Sequence, residues 1–144
     1  MSNQLFDSFK GRLLGIDTYS ALTLPDFVGT SVSTFRASLI DTGTFNPVPT
    51  THTNYSQVSG VVASGNLTSP TCSISSSTAT FDAADIVFSA VTGSSAEELI
   101  IDCNTGTSST SLLIVDFDTA TGLPVTPNGG DITITWNVSG IFSW

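Results

Sequence analysis

Charge is scarce in this chain, and positive charge scarcest. Only 10% of the 144 residues are charged, and Lys10, Arg12 and Arg36 stand against twelve acids for a net charge of -9. Such a balance repels a phosphate backbone, which excludes nucleic acid as a direct ligand. Histidine is limited to His52 and cysteine to Cys72 and Cys103, short of the roughly four Cys or His ligands of a structural zinc site. No apolar run approaches the roughly 20 residues of a membrane span, and Asp7 and Lys10 sit where a signal peptide would carry its apolar region. The expectation is a soluble protein synthesised and folded in a cytoplasm, with no membrane partner. In that compartment the two cysteines read as buried free thiols in preference to a disulfide.

Catalytic groups are as sparse as cations. His52 is the only base available to a Ser-His-Asp arrangement, lies among Thr, Asn and Pro, and no Gly-x-Ser-x-Gly elbow occurs. Asp82 with Asp85, and Asp116 with Asp118, offer oxygen ligands for a Ca²⁺ site, but turn-capping explains the first pair more simply. No carboxylate spacing singles out a glycosidase pair. The chain reads as a non-enzyme without cofactor or metal. Sequons at Asn54, Asn66 and Asn137 carry no weight, because about two would arise by chance in a chain this rich in Ser and Thr.

Ser and Thr fill about 30% of positions, and with frequent β-branched residues they favour many short strands joined by polar turns. The clearest stretch is Gly122 to Trp144. Ile132, Ile134, Trp136 and Val138 alternate with polar residues and predict one half-buried strand, entered through Pro124, Pro127 and the turn Asn128-Gly129-Gly130. Further strands are predicted at Thr34 to Asp41, Val58 to Ala63, Cys72 to Thr80, Ile86 to Val91, Glu98 to Cys103 and Ser111 to Phe117. Asp17 to Val32 and the run from Asn46 to Gln57 read as loops. The sum is an all-β single domain, a sandwich or jelly roll of about eight strands. Its expected core includes Phe81, Val87, Ile100, Leu113, Val115, Ile134 and Trp136.

One segment has helical spacing. Between Asn3 and Leu14, Leu5, Phe9 and Leu13 fall at i, i+4 and i+8, with Asn3 placed to cap the start and Gly15 to end it. This predicts a short helix or arm over residues 1–15, preceding a β-domain over 16–144. Both chain ends carry large apolar side chains, so Leu5, Phe6, Phe9, Lys10, Arg12, Phe142 and Trp144 are the candidate partner-contact residues. The competing expectation is that the helix and the last strand close their own sandwich.

Several segments resemble small acidic structural proteins of tailed bacteriophages, of the capsid cement or decoration type. They are KGRLLG at Lys10 to Gly15, SLIDTGTF at Ser38 to Phe45, FDAADIVFSAVTG at Phe81 to Gly93, DTATGLPVTPNGGDITITW at Asp118 to Trp136, and the terminal IFSW. The segment between Gly15 and Ser38 is longer than that pattern has, and Cys103 stands where it has no cysteine. The resemblance implies a virion protein on the outer capsid surface, a homotrimer whose partner is the major capsid protein and which ties capsomers together. A receptor-binding or fibre-head module, or a tail or neck component, is the alternative. The chain has no coiled-coil heptads or fibrous repeats with which a fibre would mount it.

Overall fold

Three strands form the centre of the structure: Glu98–Cys103 and Leu112–Phe117, buried throughout, and Phe35–Ile40, buried at every residue but Arg36. The computed structural model describes residues 4–14, 26–27, 33–117 and 122–143. In chain order the strands are β1 (Gln4–Leu5), β2 (Phe35–Ile40), β3 (Val61–Asn66), β4 (Thr71–Ser75), β5 (Thr78–Asp82), β6 (Ile86–Phe88), β7 (Glu98–Cys103), β8 (Leu112–Phe117), β9 (Ile132–Ile134) and β10 (Phe142–Ser143), with one helix, α1 (Asp7–Leu13). They build a five-stranded antiparallel sheet in the order β1-β8-β7-β2-β3, a three-stranded sheet β10-β5-β4 and a two-stranded sheet β6-β9. This is the expected all-β sandwich, with about ten strands in place of eight.

At its centre the large sheet is covered on both faces, so β7 and β8 read as nearly continuous apolar runs with little alternation. On the inner face Phe35, Ala37, Leu39, Leu99, Ile101 and Cys103 meet Phe81, Ile86, Phe88 and Ile134 from the smaller sheets. On the outer face Ile40, Ile100 and Leu113 are sealed by Phe6, with Phe45, Tyr55 and Val58 from the loop between β2 and β3 packed against them. That loop is fastened by backbone bonds from Tyr55 N–H to Ser111 and from Leu113 N–H to Thr53. Asn54 and Gln57 add a capping box around the 3₁₀ turn Tyr55–Gln57.

A bulge explains how β8 buries all six residues. Ile101 pairs with Val115 but its neighbour Asp102 pairs with Leu113, leaving Ile114 as the extra residue. The side-chain alternation therefore resets, sending Leu112, Val115 and Phe117 to the inner cluster and Leu113 to the outer one. Leu113 and Val115, both expected in the core, lie on opposite faces of the sheet.

Four sequence expectations need correction. Val87, predicted as core, is 53% exposed: β6 pairs Ile86 with Ile134 and Phe88 with Ile132, and the alternation that buries Ile86 and Phe88 turns the single Val87 outward. The long final strand stops at Ile134, and Val138 is fully exposed in a turn closed by the Gly140 N–H bond to Asn137. Cys72 to Thr80 is a hairpin, not one strand, because Ser76 and Ser77 both take positive φ (50° and 67°) and reverse the chain between β4 and β5. The cysteines are both free, but Cys72 is exposed and only Cys103 is buried.

The helix is shorter than its spacing suggests. Leu5 is drawn into β1 opposite Val115, and α1 starts at Asp7 with Phe6 in the extended N-cap position and no side-chain cap. Asn3 and Gly15, the expected caps, lie outside the described residues. Backbone carbonyls take up the entry to the helix instead: Phe6 N–H bonds Ile114 and Asp7 N–H bonds Pro49, each at 2.9 Å. Asp7 in the first turn, with Lys10 and Arg12 in the last, suits the helix dipole.

Trp136 keeps its place beside the core without a ladder. Its backbone N–H bonds the Asp85 carboxylate at 3.0 Å, its indole Nε1–H bonds the Ala84 carbonyl at 3.1 Å, and the ring lies 6.1 Å from Phe117. Because it is only half-buried, Trp136→Ala is expected to lower stability by about 2 kcal/mol, below the roughly 3–5 kcal/mol of a fully enclosed ring. Urea denaturation checks this, and a loss of about 4 kcal/mol or more would mean the indole is enclosed in solution.

Candidate interaction surface

The two chain ends meet on the sandwich. Phe142 in β10 pairs with Phe81 in β5, and its ring lies 5.1 Å from that of Phe81 and 6.4 Å from that of Phe9 in α1. Phe27 joins them, stacked on Phe35 at 4.9 Å and edge-on to Phe9 at 5.9 Å and to Phe81 at 5.2 Å. Offset and edge-to-face geometries of this kind contribute about 0.5–1.5 kcal/mol per pair beyond area burial. Gly140 lets β10 approach so closely: its φ is +95°, and any side chain there would run into Thr80 and the Phe81 carbonyl.

This geometry divides the candidate contact residues. Phe6 and Phe9 are 0% exposed, Phe6 under the outer cluster and Phe9 in the inner one, so these two rings close their own sandwich. Leu5 and Phe142 are half-buried against the inner cluster. Lys10 is exposed and pairs with Asp7 one turn earlier, an interaction worth little at the surface, and Arg12 is half-exposed on the same helix. Trp144 lies outside the described residues. The N-terminal segment, expected as an arm over 1–15, thus adds β1 to the large sheet and two rings to the interior.

What α1 presents to solvent is its C-terminal end. Leu13 is 40% and Leu14 81% exposed, next to Lys10 and Arg12. The third cation, Arg36, is held elsewhere: its Nε and Nη2 donate to the two carboxylate oxygens of Asp102, both at 2.9 Å, and the guanidinium lies 3.4 Å over the Tyr55 ring. The helix end is therefore the one place where exposed leucines and basic side chains occur together among the described residues. Leu13 was visible in the sequence as part of the helical stripe. Its exposure was not, because the stripe exceeds the surface on which a helix of seven residues can lie.

Elsewhere the polar groups mostly satisfy one another. Asp41 Oδ1 accepts the Gly43 N–H at 2.9 Å and Oδ2 the Thr44 hydroxyl at 3.1 Å. Desolvation pushes this carboxyl upward, but bonds from Thr44, Ser94 and Gly43 together outweigh it and hold the group below its ordinary value. Asp41, Thr44, Gly60, Val62 and Ser94 border a shallow open hollow of about 210 Å³. Asp82 accepts the neighbouring Ala83 N–H, a local bond of the kind expected of it, whereas Asp85 accepts the Trp136 N–H, 51 residues away, and so ties two distant segments together in place of capping its own turn. His52 Nδ1 accepts the Val48 N–H at 2.9 Å, and its ring packs 4.8 Å from Phe45. Among the described residues no three His, Cys, Asp or Glu side chains come together as a metal site, and no helix is long and apolar enough to cross a membrane.

Compared with models of known protein families and with curated proteins, the chain matches none.

Proposed function

We propose that this protein is a capsid cement protein of a tailed phage, a non-catalytic β-sandwich whose copies come together as a homotrimer only on the outer surface of an assembled shell, where they tie neighbouring capsomers together. The resemblance of the ordered segments from Lys10 to Trp144 supports the class. The observation that carries the contact site is the end of α1, where Leu13 and Leu14 stand exposed beside two of the three cations of a strongly acidic body. Apolar surface that the fold leaves exposed contributes binding when a partner covers it, at about 25 cal/mol per Å². Repetition over a symmetric shell multiplies a modest single contact through avidity.

The test uses full-length protein, because deleting residues 2–14 would remove Phe6 and Phe9 from the interior. Leu13→Asp/Leu14→Asp is expected to fold and melt as the wild type does while losing at least tenfold in affinity for undecorated shells. Tenfold corresponds to about 1.4 kcal/mol. Wild-type occupancy by this variant would move the contact away from α1. Virion copy number tests the class itself: numbers comparable to the major capsid protein support cement, whereas a few dozen copies or fewer point to a fibre or tail component.

A further inference from the structure

We propose that the edge of β4 is a self-association site, at which a second copy of this chain pairs antiparallel with Thr71–Ser75. Within the order β10-β5-β4, β4 is hydrogen-bonded on one side only among the described residues. All five of its residues are exposed, Ile74 by 81%. Open edges are ordinarily blunted by lysine, by an inward charge or by a bulge. Here the register runs unbroken from Thr71–Asp82 to Ser75–Thr78, and no Asp, Glu, Lys or Arg occurs anywhere between Asp41 and Asp82. That gap is unusual for a chain whose net charge is -9.

Charge identifies the occupant. A basic partner would seek the carboxylates, of which this hairpin offers only Asp82, at its far end opposite Thr71. Two copies of an acidic chain repel one another except where their facing surfaces are neutral, and β4, which carries no charged side chain, supplies such an edge. An antiparallel edge is also its own complement, since one two-fold axis satisfies both strands with the same residues. The register that pairs all five residues is centred on Ser73. It places Cys72 opposite the partner's Ile74, and Thr71 opposite the partner's Ser75. A five-residue contact is small, so the dimer belongs to the micromolar-to-millimolar range. This inference stands apart from the proposed place on a virion and holds or fails without it.

Sedimentation of the purified full chain, from about 10 µM to 1 mM, tests it. The weight-average mass is expected to rise from one chain toward two. Added salt should strengthen the association, because like charges are being screened; a basic partner would respond in the opposite sense. Ser73→Lys sets two lysines opposite each other across the axis and should leave a monomer throughout, whereas Val138→Lys, at a fully exposed turn, should associate as the wild type does. A nitroxide attached to Cys72 gives a readout without substitution, since Cys103 is only 2% exposed. In the Ser73-centred register the two labelled backbones lie about 8 Å apart, and the spectrum should broaden as the dimer forms. A wild type that stays monomeric to 1 mM, a Ser73→Lys variant that still dimerises, or labels that show no broadening in a dimer would each overturn the site.

Discussion

Phe9→Ala is expected to destabilise the protein by about 3–5 kcal/mol, a large part of the roughly 5–15 kcal/mol that holds a domain of this size together. The ring is 0% exposed and touches both ends of the chain's architecture: Phe142 of β10 at 6.4 Å and Phe27 at 5.9 Å, with the inner face of the large sheet beneath. Truncation leaves a cavity where no nearby group can follow. Phe27 and Phe142 are already fixed by Phe35 and Phe81, and β10 is tied to β5 through the Ile141 N–H bond to Phe81. The loss should spread to the chain ends, so hydrogen exchange at Phe142 and at Lys10 should accelerate together. Denaturant unfolding measures the total. A loss below about 1 kcal/mol would mean that α1 is undocked in solution, and would return Phe9 to the exposed anchoring role.

The same residue shows where sequence reading reaches its limit. Large apolar side chains at both termini were legible, and so were two outcomes for them, a partner's surface or the chain's own interior. Choosing between these requires knowing that β1 pairs with β8 and β10 with β5, and both are pairings between residues far apart in sequence. Strands β7 and β8 were readable because their apolar runs are long and bounded by turn residues, and β2 because Phe35, Ala37 and Leu39 alternate with Thr34, Arg36 and Ser38. That they are buried on both faces was not, since the cover on the outer face comes from a loop around Tyr55 that has no periodic signal. The bulge at Ile114 is silent in the sequence, because LLIVDF reads the same with or without it. For Val87 the pattern offered two alternations within Ile86-Val87-Phe88, and only the partner strand β9 decides which is inward. The exposed Leu14 could have been suspected from a helical stripe longer than its helix; the pairing of Arg36 with Asp102, 66 residues apart, had no local signal at all.

That ion pair carries the second large effect. Asp102→Ala should cost about 3–5 kcal/mol, because it leaves the Arg36 guanidinium in a site only 17% exposed without its bidentate acceptor. Removing both charges together should not. Burial pushes the Asp102 carboxyl above its ordinary value of 3.8, and the hydrogen bond and charge of Arg36 pull it only part of the way back. Desolvation thus exceeds the attraction, the balance in which an apolar pair of similar volume replaces an ion pair at little cost. Arg36→Met/Asp102→Leu is therefore expected within about 1 kcal/mol of wild type at neutral pH, or above it. Tyr55 keeps its hydroxyl contact to Ser38 at 3.2 Å and can close over the methionine. The linkage has a definite sign. A carboxyl whose folded pKa is raised binds its proton in the folded state first, so wild-type stability relative to the non-titrating double variant should rise as pH is lowered through the window above 3.8. Urea titrations of both proteins across that window decide it. A double variant as damaged as Asp102→Ala, or a difference that moves against wild type on acidification, would show that the Arg36 attraction outweighs the cost of burial.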